Sequence, residues 1–380
     1  MGERGIVLSE LTVCELFAGA GGMTLGAARA GFNVRLAVEL DDRASAVHSR
    51  NFPNSLMLKE DVSSLTGARL LSEAKLREGE LTGLIGGPPC QGFSTIGRRH
   101  PQDDRNSLFF DFFRIVAECR PTFFVAENVT GILEKRFEQH VESALGQVRR
   151  DYQLLEPVVA QASNFGAPTS RTRVFFVGFL KSRVKREVAP SEILSYSGGK
   201  HAVVKAALRG LPVKVDGNWR KNRLGRVRRH KVLETWFQKK LIDARPLNVG
   251  CEDAVRWLER GYVFGHQGTM HSAEIVQRYD QLGPGETDPI TKSVRLLGDG
   301  LCPTLRAGTG QDKGAFQAVR PIHYKMPRVI TPREAARLQS FPDWFVFDET
   351  KWHSFRQIGN SVPPLLAEAI LRNVRRIIVE

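Results

Sequence analysis

The chain has 380 residues, 42% hydrophobic and 25% charged, a balance that excludes a disordered segment and leaves room for two or three domains of ~150 residues each. Lys and Arg number 55 against 41 Asp and Glu, and the formal net charge of +14 favours a polyanionic partner, because basic side chains that neutralise phosphates release condensed counterions. The five cysteines include no Cys-x-x-Cys pair, which argues against a zinc ribbon or a disulfide framework; with no signal sequence and no apolar run near the ~20 residues of a membrane span, we expect a soluble, intracellular protein without a metal site.

Short apolar runs rich in β-formers predict strands at Thr12–Phe17, Val34–Glu39, Ser55–Leu58, Leu84–Gly86, Thr122–Ala126, Leu154–Ala160 and Arg173–Phe179. Helical patterns lie between them at Met23–Ala30, Ala44–Arg50, Ala68–Arg77, Ser107–Glu118 and Ile132–Val148. Such alternation predicts an α/β fold with a mostly parallel, Rossmann-like sheet covered by helices on both faces. Its ligand belongs beyond the carboxyl ends of the strands, near the first βα turn. After Leu180 the rhythm breaks into Gly, Pro and interspersed charge. A run from Gly217 to Lys231 holds Arg220, Lys221, Arg223, Arg226, Arg228, Arg229 and Lys231 with no acid, which is either a solvated face or a nucleic-acid surface. Regularity returns at Val329, where Thr331-Pro332-Arg333-Glu334 reads as a capping box with Pro at the first helical position. A last helix is predicted at Pro364–Arg375. The resulting division is a catalytic domain over 1–184, a smaller irregular domain over 185–325, and a segment over 326–380 whose last helix returns to the first domain.

Four local patterns carry chemistry. Glu15-Leu16-Phe17-Ala18-Gly19-Ala20-Gly21-Gly22 closes the first strand with glycines that let the backbone turn and approach a ligand. Thr24 stands where a dinucleotide fingerprint needs its third glycine, which weakens a nicotinamide reading. Taken alone the loop is also what an ordinary tight turn looks like. Glu39 follows the second strand, twenty residues after Gly19, where an acid can accept from ribose hydroxyls, and Asp61 follows the third, suited to an adenine amino group. Together they point to an adenosine cofactor without a pyrophosphate.

The second pattern, Gly86-Gly87-Pro88-Pro89-Cys90-Gln91-Gly92-Phe93-Ser94, follows the fourth strand. An isolated Cys is usually a small buried hydrophobe, but prolines that fix φ beside Cys90 suit a constrained nucleophile. Its thiolate would need a neighbouring cation such as Arg171. Third, Glu127 in Ala126-Glu127-Asn128-Val129 is either a helix cap or a functional proton donor. Fourth, Arg171 and Arg173, at spacing two, suit a phosphate or a base oxygen, or are strand-edge charge.

These blocks, in this order, resemble the cytosine-C5 DNA methyltransferase family of bacterial restriction-modification type. Phe17-Ala-Gly19-Ala-Gly21-Gly22, Gly87-Pro88-Pro89-Cys90-Gln91-Gly92-Phe93-Ser94, Glu127-Asn128-Val129 and Arg171-Thr-Arg173 match its early motifs. Arg333-Glu334-Ala-Ala-Arg337-Leu338-Gln339-Ser-Phe341-Pro342 and Gln357-Ile358-Gly359-Asn360-Ser361-Val362-Pro363-Pro364 match its late ones. Pro303-Thr304-Leu305 resembles the Thr-Leu pair of its variable target-recognition region. One departure stands out: the family commonly has Pro-Gln before its arginines, and this chain has Pro168-Thr169-Ser170.

The resemblance implies methyl transfer from S-adenosyl-L-methionine to C5 of a flipped-out cytosine in double-stranded DNA. Cys90 would attack C6, Glu127 would serve N3, and Arg171 and Arg173 would hold the base oxygen and adjacent phosphate. The cofactor would lie among Phe17, Gly19, Gly21, Gly22, Glu39, Asp61, Pro88, Leu108, Asn360, Ser361 and Val362. DNA would meet Gln91, Ser94, Arg98, the basic run and Thr304. A cytoplasmic, monomeric modification enzyme, with or without a cognate restriction endonuclease, is implied. The rivals are an RNA C5 methyltransferase, a silent DNA-binding relative and a nicotinamide oxidoreductase. The first would carry a Cys-Phe-Thr signature, but Glu252 follows Cys251 and Pro303 follows Cys302. The second would have lost Cys90 or Glu127, and the third leaves both unexplained.

Overall fold

A computed structural model describes residues 11–89, 107–196, 198, 201–215, 223–232, 235–242, 245–307 and 320–380. Eight strands form one sheet: β1 (Thr12–Leu16), β2 (Asn33–Val38), β3 (Leu56–Leu58), β4 (Gly83–Gly86), β5 (Phe123–Asn128), β6 (Tyr152–Leu154), β7 (Val158–Gln161) and β8 (Thr172–Leu180). The spatial order is β3-β2-β1-β4-β5-β8-β6, with β7 also paired to β8. The β3-to-β5 half is parallel, and β8 runs antiparallel to β5, β6 and β7. The order reverses between β1 and β4, so the crevice beyond their carboxyl ends is the topological switch point at which such sheets bind ligands.

Helices α1 (Gly22–Arg29), α2 (Asp42–Asn51), α3 (Gly67–Glu73), α4 (Ser107–Cys119) and α5 (Glu138–Gly146) accompany the strands. They fall where the apolar periodicity predicts, because each turns one apolar face to the sheet. On α4, Phe109, Phe112 and Phe113 are buried, and Phe113 meets Phe124 of β5 edge to face at 5.4 Å. Two expectations change. The run Leu154–Ala160 is two strands, β6 and β7, which pair with successive parts of β8. The segment expected as one helix from Ile132 begins instead with short 3-10 turns and becomes α-helical at Glu138.

Beyond β8 come short helices: α6 (Pro190–Leu194), α7 (Val204–Ala207), α8 (Trp236–Ile242), α9 (Glu252–Glu259) and α10 (Ala273–Gln281), with a ribbon of β9 (Val227–Arg228) and β10 (Tyr262–Val263). Then follow α11 (Pro332–Leu338), α12 (Lys351–Asn360) and α13 (Pro364–Val379). The capping box at α11 forms as the sequence reads: Thr331 Oγ1 accepts from Glu334 N at 3.2 Å and Glu334 Oε2 accepts from Thr331 N at 2.7 Å.

The terminal helix α13 returns to the sheet. Leu366, Ala367, Ile370 and Val374 share a core with Val13, Met23, Ala27, Phe32, Ile85 and Phe123. Close approach is possible because Gly26 of α1 has no side chain; a Cβ there would lie 2.4 Å from that of Ala367. A separate core joins Leu25, Val47 and Phe52 to Leu208, Phe237, Leu258, Phe341, Trp344 and Phe345, so the region after β8 is packed on α1 and α2. Among the described residues no helix is long and apolar enough to cross a membrane.

Candidate active site

The glycine loop after β1 is built from left-handed residues. Phe17 has φ +56°, Gly19 +56° and Gly21 +99°. Gly19 faces open space, whereas a Cβ on Gly21 would strike the Phe52 ring at 2.2 Å and one on Gly22 would strike Val362 O at 2.4 Å. The loop is therefore squeezed between α2 and the segment leading into α13. Its partner is Glu39, whose Oε2 accepts from Gly19 N and whose Oε1 accepts from Asp41 N, both at 2.8 Å. Burial holds the Glu39 carboxyl above its usual range. Asp61 is exposed after β3, where it accepts from Ser63 N at 2.9 Å and so fixes its own turn.

Beneath this loop lies a polar chain that the sequence does not reveal. Thr24 of α1 donates its hydroxyl proton to Glu15 Oε2, and its Oγ1 lies 2.8 Å from His48 Nε2. All three side chains are buried. Burial pushes the Glu15 carboxyl up to about 8 and the His48 imidazole down to about 3. At neutral pH both are uncharged, which is how an acid and an imidazole sit in a core without a counter-ion.

Across the crevice, β4 leads to Gly87-Pro88-Pro89. Asn128, at the end of β5, donates from Nδ2 to Pro88 O at 3.3 Å and ties this loop to the neighbouring strand. Glu127, the residue before it, meets the same loop. Its Oε2 lies 3.1 Å from where a Cβ on Gly87 would be, and its Oε1 pairs with Arg173 Nε at 2.6 Å. Glu127 and Arg173 are each only about a tenth exposed, and they occupy facing strands β5 and β8. A carboxyl group clamped by a guanidinium and open towards the loop after β4 is held at a fixed position.

Arg171 has different partners. It is 1% exposed, and its Nη1 and Nη2 donate to Leu305 O at 3.1 Å and Asn360 O at 3.3 Å. Pro88 is buried, and Leu108 is half-buried on the first turn of α4. Asn360 is exposed where α12 ends, while Ser361 and Val362 are buried against Gly22. Thr304 is exposed. In the basic run, Arg226 stacks its guanidinium 3.7 Å from the centre of the Trp257 ring, Arg228 is exposed on β9, and Arg229 N donates to Gly261 O at 2.8 Å. Cys90, Gln91, Ser94, Arg98, Arg220 and Lys221 lie outside the described residues, as does the side chain of Arg223.

The late motif proves to be an internal fastening. Arg333 donates to the carbonyls of Phe264, Pro342 and Phe345, and Arg337 forms a two-pronged pair with Asp343 at 2.8 and 2.6 Å. Burial would raise the Glu334 carboxyl, but Arg328, bound through two nitrogens at 2.9 and 2.7 Å, brings it down to about 2. Arginine-carboxylate pairs at i+6 across a Pro turn were the available signal.

A Rossmann-like sheet with a glycine loop, a carboxylate one strand along and a clamped acid across the switch point defines the methyltransferase class. The chain belongs to the C-5 cytosine-specific DNA methylase family, which matches it over residues 11–376. It is 37% identical to the type II methyltransferase M.XorII of Xanthomonas oryzae pv. oryzae over 368 residues, 94% of this chain and 82% of that protein. It is 33% identical to M.DdeI of Desulfomicrobium norvegicum over 391 residues, covering 96% and 88%. The crystal structure of a protein described as a DNA modification methyltransferase encoded within an E. coli prophage superposes with TM-score 0.88 at 44% identity, covering 97% of this chain and all of that one. The fold is shared more distantly with S. pombe Dnmt2, TM-score 0.60 at 16% identity. The chain is a DNA cytosine-5-methyltransferase.

Proposed function

We propose that the enzyme methylates C5 of a cytosine rotated out of a specific double-stranded DNA site, using Cys90 as nucleophile and S-adenosyl-L-methionine as cofactor. The observation that carries this reading is the Arg173–Glu127 clamp beside Gly87, three residues before Cys90 and joined to the Cys90 loop by the Asn128–Pro88 bond.

The residues at the glycine loop fit the cofactor. Open space lies before Gly19 and the Glu39 carboxylate is fixed beside it, where it would meet ribose hydroxyls; Phe17, Gly19, Gly21 and Gly22 would hold the methionine part, and Asn360, Ser361 and Val362 would complete the site. Asp61, Pro88 and Leu108 would hold the adenine. When bound, the cofactor supplies an electrophilic methyl group.

The chain's own residues do the rest. Cys90 Sγ bonds to C6 of the ring, and Glu127 gives a hydrogen bond or proton at N3, so that C5 becomes nucleophilic. Arg173 holds Glu127 in place and stabilises charge at the base oxygen. After methyl transfer a base, for which a bound water suffices, takes the C5 proton; the C5–H electron pair re-forms the C5–C6 double bond and the C6–S bond breaks, releasing Cys90 as thiolate. Since C5 inside a duplex cannot reach the thiol, the base is extruded at a cost of a few kcal/mol of unstacking. Gln91, Ser94, Arg98, Thr304 and the basic residues Arg220, Lys221, Arg223, Arg226, Arg228 and Arg229 engage the DNA, within a target-recognition domain over 185–325. The catalytic domain is then 1–184 completed by 326–380. The protein would act as a cytoplasmic monomer, with or without a cognate restriction endonuclease, and would form no stable complex with one where it exists.

The test is bisulfite sequencing of unmethylated DNA incubated with protein and S-adenosylmethionine, with Cys90→Ala and a tRNA substrate in parallel. Protected cytosines in one recurring DNA context, absent with Cys90→Ala, are expected. Protection in tRNA alone, or normal turnover by Cys90→Ala, would sink the reading.

A further inference from the structure

The entrance to β8 is welded to a segment more than a hundred residues away. Thr169 pairs with Cys302 as a parallel bridge, and Cys302 N donates to Pro168 O at 2.9 Å. Cys302 O receives Ser170 N at 2.9 Å and Thr169 Oγ1 at 3.0 Å. Thr169 is fully buried, so its hydroxyl is committed to this joint. Two residues on, Arg171 closes the same joint from the other side through Leu305 O and adds Asn360 O. Gly359 then packs so tightly on the backbone of Arg306 and Ala307 that a Cβ there would lie 2.7 Å from it.

We propose that Arg171 is a positioning residue that touches neither base nor phosphate. One guanidinium fixes three backbones: the strand that carries Arg173 to Glu127, the Pro303-Thr304-Leu305 segment, and Asn360, whose continuation Ser361-Val362 backs the glycine loop at Gly22. Its planar fork suits this task because two carbonyls at different angles need two rigidly related donors, which an ammonium cannot supply. Thr169, which stands where the family commonly has Gln, serves the joint through the Cys302 carbonyl. Arg173 is left as the arginine that meets the substrate. This inference rests on the proposed roles of Arg173, Glu127 and Thr304.

Salt dependence separates positioning from contact. Each phosphate neutralised by a basic side chain contributes ~0.9 to the slope of log K against log salt. Duplex affinity is measured from 50 to 200 mM salt, on DNA carrying the site that bisulfite sequencing identifies, for the wild type, Arg171→Gln, Arg171→Lys and Thr169→Val. Arg171→Gln should keep the wild-type slope while kcat falls roughly 10- to 100-fold, the scale of a small misplacement of reacting groups. Arg171→Lys should recover part of that loss, and Thr169→Val should lower kcat in the same direction by a smaller factor. A slope shallower by about 0.9 in Arg171→Gln would make Arg171 a phosphate contact and overturn the proposal. Should Arg171→Gln fail to fold, an unchanged kcat in Thr169→Val overturns it equally. Activity retained by Cys90→Ala would remove the parent reading without altering the slope comparison.

Discussion

Arg173 Nε sits 2.6 Å from Glu127 Oε1, joining two neighbouring antiparallel strands at the edge of the crevice. Neither side chain is more than about a tenth exposed, so each is the main compensation for the other's desolvation. Truncating Glu127 would therefore remove the proposed N3 partner and leave Arg173 buried beside a gap. Glu127→Gln keeps the shape and should lower single-turnover methyl transfer by roughly 10²- to 10⁴-fold, with duplex binding within a few fold of wild type. Rapid-quench transfer at saturating cofactor checks this, and a rate within threefold of wild type would remove Glu127 from the chemistry.

Glu39 makes a second, separable prediction. Its carboxylate holds Gly19 N and Asp41 N beside the proposed cofactor cradle. Glu39→Ala should weaken cofactor binding by roughly tenfold or more, the scale of losing a hydrogen bond to a charged group, while leaving the affinity for DNA alone unchanged. Calorimetric titration with S-adenosylmethionine decides it; an unchanged dissociation constant takes Glu39 out of the site.

The Glu15–Thr24–His48 chain predicts a pH profile of stability. Folded Glu15 keeps its proton up to about pH 8, whereas the unfolded chain loses it near 4.5. The folded state binds the extra proton, so this contribution is complete below pH 4.5 and is lost as the pH rises to about 8. His48 has the opposite sign: it stays neutral when folded down to about pH 3, so its contribution is present above 6.5 and is lost as the pH falls. Between pH 6.5 and 8 only the Glu15 loss remains, up to ~1.4 kcal/mol per pH unit. Urea unfolding of wild type and Glu15→Gln should show the two curves diverging across that window, with the variant flatter. Parallel curves would mean that Glu15 is ionised in the fold.

Arg337 is fully buried and pairs with Asp343 while also holding the carbonyls of Ala207 and Arg209. Breaking such a pair from one side leaves an uncompensated charge and costs ~3–5 kcal/mol. Arg337→Met should lower the denaturation midpoint steeply, and Asp343→Asn should do so too. Any Arg337→Met protein that remains folded should retain near-normal kcat. A large kcat loss with an unchanged midpoint would make the motif catalytic instead.

What the sequence reveals follows from the range of the interactions involved. The helices over 22–51 and the box at Thr331 are legible because apolar period and caps act within a few residues. The glycine loop, Glu39 and the Glu127 strand are legible because chemistry demands particular residue types after particular strands. The split of 154–160 into β6 and β7 is not, since only pairing with β8 distinguishes one strand from two. Helix α12, Lys351-Trp-His-Ser-Phe-Arg-Gln-Ile-Gly-Asn, lacks a clean apolar stripe and is held by tertiary partners such as Arg43 O, which receives Gln357 Nε2. Arg171 reads as a substrate ligand beside Arg173, and only the distant carbonyls of Leu305 and Asn360 tell the two apart.

The docking of α13 on α1 has a consequence for biosynthesis. The face of the sheet bearing Val13, Ile85 and Phe123 is covered by Leu366, Ala367, Ile370 and Val374, which are made later than every strand of that sheet. A ribosome that has released every strand still holds a sheet with one bare side and a glycine loop lacking the Val362 wall behind Gly22. Folding of this sheet is therefore completed only once α13 has emerged, and the nascent chain lacks a finished glycine loop until Val362 has come back to Gly22.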